Sequence, residues 1–154
     1  WDPLQQNSSI LDCGFIPQNQ TSTFDPYERA GSSLYYNFHD LSKYLRCGYR
    51  KITDHACREI RHGRLTKEEA KTLISSYESQ PVYIKNFFDW LGVSSSGYEW
   101  FVSHKLQAVK HLISPAPLQN NNSSTILPKK LKRLIFKGAT AKENFQTFKK
   151  GISL

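Results

Sequence analysis

A chain of 154 residues with 38% hydrophobic content is large enough to enclose one modest core, and it holds no apolar run approaching the roughly 18 residues a membrane-crossing helix needs. Three cysteines, Cys13, Cys47 and Cys57, stand without Cys-x-x-Cys spacing, which argues against a disulfide frame or a cysteine zinc site and for reduced thiols in a cytoplasmic setting. The formal charge of +8 is unevenly placed: residues 128–154 carry eight Lys and Arg against Glu143, a net of +7, and the other 127 residues carry 13 cations and 12 anions, a net of +1.

Residues 1–35 are rich in Gln, Asn, Ser, Thr and Pro with no sustained period, and read as an irregular arm with aromatic anchors at Trp1, Phe15 and Phe24. From 36 to 113 the pattern is helical. Phe38, Leu41 and Leu45 recur at helical steps before Gly48 stops a first helix. Thr53 or Asp54 is suited to cap a second, with Ala56, Cys57 and Ile60 facing inward and Gly63 at its end. Cys47 and Cys57 are expected to pack as small apolar residues. Thr66 followed by Glu69 predicts a capping box, in which hydroxyl and carboxylate each satisfy a free backbone N–H; Ala70, Leu73, Ile74 and Tyr77 then form a buried stripe.

Pro81 suits the first turn of a fourth helix lined by Ile84, Phe87, Phe88 and Leu91 and ended by Gly92. Ser94 or Ser96 opens a fifth, whose apolar face runs Val102, Leu106, Val109, Ile113. No segment alternates as a strand should, so the fold class is all-α: a small helical bundle with an irregular N-terminal arm and a basic helical tail. Residues 114–127 form a low-complexity linker, and 128–154 hold two basic helical candidates with apolar edges at Leu131, Leu134, Ile135 and at Phe145, Phe148, Ile152.

The stretch Tyr44 to Ala70 is the most informative. Arg46, Arg50, Lys51, Arg58, Arg61, Arg64 and Lys67 crowd around two helix boundaries. A helix junction needs only a stop and a cap, and like charges at close range repel, so the crowding suggests an anionic visitor. The alternative is a solvated face whose cations are spread by geometry or paired with Glu59, Glu68 and Glu69. His39-Asp40 and Asp54-His55 invite acid–base chemistry, yet neighbours on a helix point about 100° apart, so neither pair need touch. His104 and His111 lack a third ligand, and no metal site is expected.

Phe38-His39-Asp40 through Tyr44-Leu45, Cys47-Gly48-Tyr49, Thr53-Asp54, Glu59-Ile60-Arg61-His62-Gly63 and Leu65-Thr66-Lys67-Glu68-Glu69 together resemble the C-terminal part of the N-acetyl sugar amidotransferases of surface-polysaccharide biosynthesis. The resemblance spans about 1–106, with Trp1-Asp2-Pro3 and Gly14-Phe15 as weaker anchors. It implies an ATP pyrophosphatase that takes ammonia from a glutaminase subunit and converts the acetamido group of a nucleotide-linked N-acetyl sugar to an acetamidino group in lipopolysaccharide, O-antigen or a related glycan. Lys51 and Lys67 stand where the family's pattern has arginine, keeping the charge and losing the bidentate fork.

The family's Ser-Gly-Gly-x-Asp-Ser phosphate loop is not in this sequence, so the chain by itself is expected to activate no ATP; ATP and magnesium belong to the parent enzyme. The chain begins at Trp1 and contains no methionine, which points to a piece of a longer protein. The substrate- or partner-binding candidates are His39, Arg50, Asp54, Arg58, Glu59, Arg61 and Arg64, with no catalytic residue assigned. The resemblance singles out His39, Asp54 and Arg61 without giving them a reaction step. The location expected is the cytoplasm, including the inner face of the membrane. The rival class is a non-enzymatic module whose basic tail binds nucleic acid or an anionic membrane surface, nucleic acid being the less favoured partner within the amidotransferase reading.

Overall fold

The computed structural model describes Asp2, Gln6, Thr23, Phe24 and residues 33–118. Nearly all of the arm, the linker beyond Leu118 and the basic tail lie outside these. Within residues 33–118 five α-helices follow one another: α1 (Ser33–Cys47), α2 (Lys51–Arg61), α3 (Lys67–Glu78), α4 (Lys85–Trp90) and α5 (Ser95–Lys105), with a 3-10 helix at Gln107–Leu112. Among the described residues the β pairing is a single parallel bridge, Val82 to Ile113, tying the segment before α4 to the end of the 3-10 helix. The all-α class read from the sequence is what the chain adopts.

Two apolar clusters hold these helices. The first lies in the α2–α3 hairpin, where Ile52, Ala56, Leu65, Ala70, Leu73 and Tyr77 are buried and Phe24 of the arm packs among them. The second gathers Leu41 of α1, Ile84 and Phe88 around α4, Val102 of α5, Leu106 just after it, and Val109 and Leu112 of the 3-10 helix. Both follow from helical spacing: residues three and four apart share a face, and burying that face removes apolar surface from water at about 25 cal/mol per Å².

Local signals place several boundaries. Gly48 ends α1 at φ +77° and Gly63 follows α2 at φ +64°, left-handed backbone that other L-residues enter only with strain. Thr66 and Glu69 form the capping box, the Thr66 side chain accepting from the Glu69 N–H and Glu69 accepting from the Thr66 N–H. Ser94 caps α5 by accepting from the Gly97 N–H at 3.2 Å.

Other boundaries depart from the sequence reading. Neither Thr53 nor Asp54 caps α2, which begins earlier, behind Arg50. Its free N–H groups are satisfied from other helices: Asp40 Oδ1 accepts from the Lys51 N–H at 2.6 Å, and Glu78 Oε1 from the Arg50 N–H at 3.2 Å. Two carboxylates at a helix N-terminus also meet the positive end of its dipole, so a distant cap outcompetes a local one.

Pro81 precedes the Val82 bridge and α4 starts only at Lys85, because the N–H of Val82 is committed to the Leu112 carbonyl at 2.7 Å. The apolar face of α5 continues past Lys105 as a tighter 3-10 turn, which keeps Val109 and Leu112 buried and leaves Ile113 partly covered. Leu45 and Leu91 are exposed, not inward. Cys47 and Cys57 are free and exposed, against the expectation that they pack inside; Ala56 and Ile60 supply the inner face of α2 without Cys57.

Candidate functional site

The crowded cations of the Tyr44–Ala70 block sort into two groups once the helices are folded. Arg50 is wholly buried at the junction of α1, α2 and α3. Its Nε donates to Asp40 Oδ2 at 2.8 Å, and its Nη1 donates to the carbonyls of Glu78 at 3.0 Å and Gln80 at 2.9 Å, with Tyr77 at 3.4 Å. One side chain therefore neutralises Asp40 and satisfies carbonyls left open where α3 ends. Thr53 adds a hydroxyl donated to Glu78 Oε1 at 3.2 Å.

A second knot closes the other end of the hairpin. Glu59, fully buried, accepts from Arg58 Nε at 2.8 Å and from Arg64 Nε at 2.5 Å. Arg64 then reaches Asp2 with both terminal nitrogens, at 2.5 and 2.9 Å. Burial works against the charge of Arg64, but hydrogen bonds to Asp2 and Glu59 and the field of those carboxylates outweigh it and raise its pKa further above the usual arginine value. The pairing of Arg58 and Arg64 with Glu59 was one of the two readings open in the sequence; Asp2 was in neither.

The remaining candidates face outward. His39 is exposed on α1 beside the Tyr35 ring, 5.3 Å between centroids. Asp54 is ion-paired with Lys43 of α1 and keeps 40% of its side chain exposed. Arg61 is exposed in the last turn of α2 and has no ion-pair partner among the described residues. The sequence neighbours His39-Asp40 and Asp54-His55 serve separate ends: Asp40 holds Arg50, and buried His55 shares a 2.6 Å hydrogen bond with Thr23 of the arm. Thr23 and His55 were missed as partners because 32 positions separate them. Among the described residues no three His, Cys, Asp or Glu side chains come together to hold a metal ion.

Residues 21–113 match the family model of the LPS biosynthesis protein WbpG-like C-terminal domain. The match spans more than half of the chain. The chain belongs to this family. No curated protein and no solved structure matches it.

The limits of the WbpG-like domain make structural sense. It opens just before Thr23, which bonds His55, and Phe24, which enters the first cluster, and closes at Ile113, the partner of Val82 in the bridge. All seven candidate residues fall inside it. Asp2 falls outside, so Arg64 is a point where the domain grips a residue that precedes it. In the WbpG-like domain the described helices include none long and apolar enough to cross a membrane. A role in lipopolysaccharide biosynthesis follows from the family.

Proposed function

We propose that this chain forms the C-terminal helical portion of an ATP-dependent N-acetyl sugar amidotransferase acting in lipopolysaccharide, O-antigen or related glycan synthesis. In that role the domain supplies a substrate-side or partner-docking surface, and the preceding part of the enzyme supplies the ATP chemistry with magnesium. The observation that carries this reading is the family match over 21–113, whose described residues from 33 on pack as helices, in a sequence without a phosphate loop. A glutaminase subunit delivers ammonia, and a nucleotide-linked N-acetyl sugar is the acceptor.

Geometry supports a division of labour among the candidates. Arg50 and Glu59 are sealed from solvent and organise the hairpin; Arg58 and Arg64 are mostly covered and bound to Glu59. His39, Asp54 and Arg61 are reachable from outside and remain the residues for contact with sugar or partner. The test is removal of codons 33–113 from the gene in the producing strain, followed by mass spectrometry of its lipopolysaccharide. The expected outcome is loss of the acetamidino group with retention of the acetamido precursor. Lipopolysaccharide unchanged in that group would refute the reading.

A further inference from the structure

A column of aromatic rings runs from the second core cluster out to solvent. Phe38 stacks on Phe87, 5.2 Å between centroids and 18° between planes, and Phe87 stacks on Trp90 at 6.2 Å and 26°. Trp90, the outer member, is 59% exposed: one face rests on Phe87 and the rest of the indole meets water. Tyr35, 44% exposed, abuts Phe87 edge-on at 5.8 Å and lies 5.3 Å from the His39 ring. Tyr35 thus stands against the same Phe87 ring that carries Trp90, with His39 next to Tyr35, so an indole, a phenol and an imidazole are linked through one stacked ring.

We infer that this rim, Trp90 with Tyr35 and His39, is a binding site for the pyranose ring of a sugar. The proposal rests on the reading above, that the domain serves an enzyme acting on a sugar, and locates the sugar contact. Three features of the site select this ligand. A stack of parallel rings is continued by another flat, apolar face, and the C–H face of a pyranose is one, whereas its hydroxyl edge needs donors and acceptors of the kind Tyr35 and His39 carry. Trp90 is preorganised, since its packing on Phe87 restrains the indole before any ligand arrives. The helix that presents it is neutral: Lys85 and Asp89, the charged residues of α4, pair with each other at 2.5 Å. The phosphates of a nucleotide-linked sugar, or an anionic bilayer, call for unpaired cations beside the rings, and α4 offers none, so it is the pyranose end of such a ligand that fits here.

Trp100 supplies the internal control. It is as exposed, at 54%, but it stacks only on His104, 4.8 Å away, with no described ring contact to the column. The experiment follows the indole N–H signals of the full chain by NMR during titration with N-acetylglucosamine, and separately with uridine. Expected is a saturable shift of the Trp90 signal with the sugar. That response should vanish in Trp90→Ala, survive in Trp100→Ala, and weaken about fivefold in Tyr35→Ala. Trp90→Phe, which keeps a ring on Phe87 and so preserves the fold, should retain a weakened response when its neighbours are followed.

No saturable shift with the sugar, an equal response in the chain lacking Trp90, or a response to uridine alone would overturn the assignment. The last outcome would mark the platform as one for a nucleobase. Failure here is separable from failure of the amidotransferase reading. Loss of the acetamidino group on deleting the domain, with no sugar response at Trp90, refutes the site alone. A sugar response at Trp90 with unaltered lipopolysaccharide refutes the enzyme reading alone.

Discussion

Arg50 and Asp40 meet across the α1–α2 junction, Nε to Oδ2 at 2.8 Å, with 0% and 2% of their side chains exposed. The pair is sealed because Asp40 also receives the Lys51 N–H and Arg50 also reaches the last carbonyls of α3. Removing one partner of such a pair strands a buried charge, which typically costs about 3–5 kcal/mol. Asp40→Ala is therefore expected to lower unfolding free energy by about that much in urea titration. Combining it with Arg50→Met should recover part of the loss, since the orphaned guanidinium is then gone. A double variant no better than Asp40→Ala would show that the helix cap, not the ion pair, dominates.

Arg64 joins Glu59 of α2 to Asp2, and it does so with a planar fork that matches a carboxylate at two nitrogens. Arg64→Lys keeps the charge and loses the fork. We expect it to lower stability by about 1–3 kcal/mol, nearly as much as Arg64→Ala. Thermal unfolding of the two variants side by side checks this; a lysine variant indistinguishable from the parent would show that charge alone suffices.

Gly48 sits at φ +77° with nothing within 4 Å of where a Cβ would stand, so any penalty for a side chain there is backbone strain without a clash. Gly48→Ala should cost about 1–2 kcal/mol, and Gly48→Asn less, because Asn tolerates left-handed backbone. Equal effects of Ala and Asn in chemical denaturation would contradict this.

Tyr98 of α5 has its pKa raised above the ordinary 10.0, first by burial and then by the neighbouring Tyr83. The folded state thus holds the phenolic proton more tightly than the unfolded state. Stability from this source is complete below about pH 10 and is lost as pH rises beyond it, when the unfolded chain ionises first. Thermal unfolding between neutral and strongly alkaline pH should show an alkaline loss that is smaller in Tyr98→Phe. A parallel decline in both proteins would assign the loss elsewhere.

Residues 119–154 lie beyond the segment that closes the bundle at Val82 and Ile113, and they carry the +7 of the tail. Deleting them should leave the helical circular dichroism and the unfolding midpoint of 1–118 nearly unchanged. The same deletion should abolish salt-sensitive retention on heparin or on anionic vesicles, since each lost phosphate contact flattens the salt dependence. Retention that survives the deletion would place the anion-binding surface in the bundle, with Arg61 the first residue to replace.

Much of the helical framework was legible because its causes are local. The capping box at Thr66 and Glu69 spans three positions, and the stripe Ala70, Leu73, Tyr77 repeats at the pitch of a helix. Gly48 and Gly63 marked helix ends for the same reason, a backbone preference carried by single residues. Of the site, the sequence identified the arginines and Glu59 and left open whether they await a ligand or one another.

Tertiary structure decided what those charges do. Asp40 and Arg50 are ten positions apart, Thr23 and His55 32, and Arg64 and Asp2 62. No local rule links residues at such separations, and which carboxylate reaches which guanidinium depends on how α1, α2 and α3 pack. The column from Phe38 through Phe87 to Trp90 is likewise split between α1 and α4. Periodicity puts Phe38 and Phe87 on apolar helix faces and says nothing of Trp90; only the packing of the two helices stacks the rings and leaves the last one open to water.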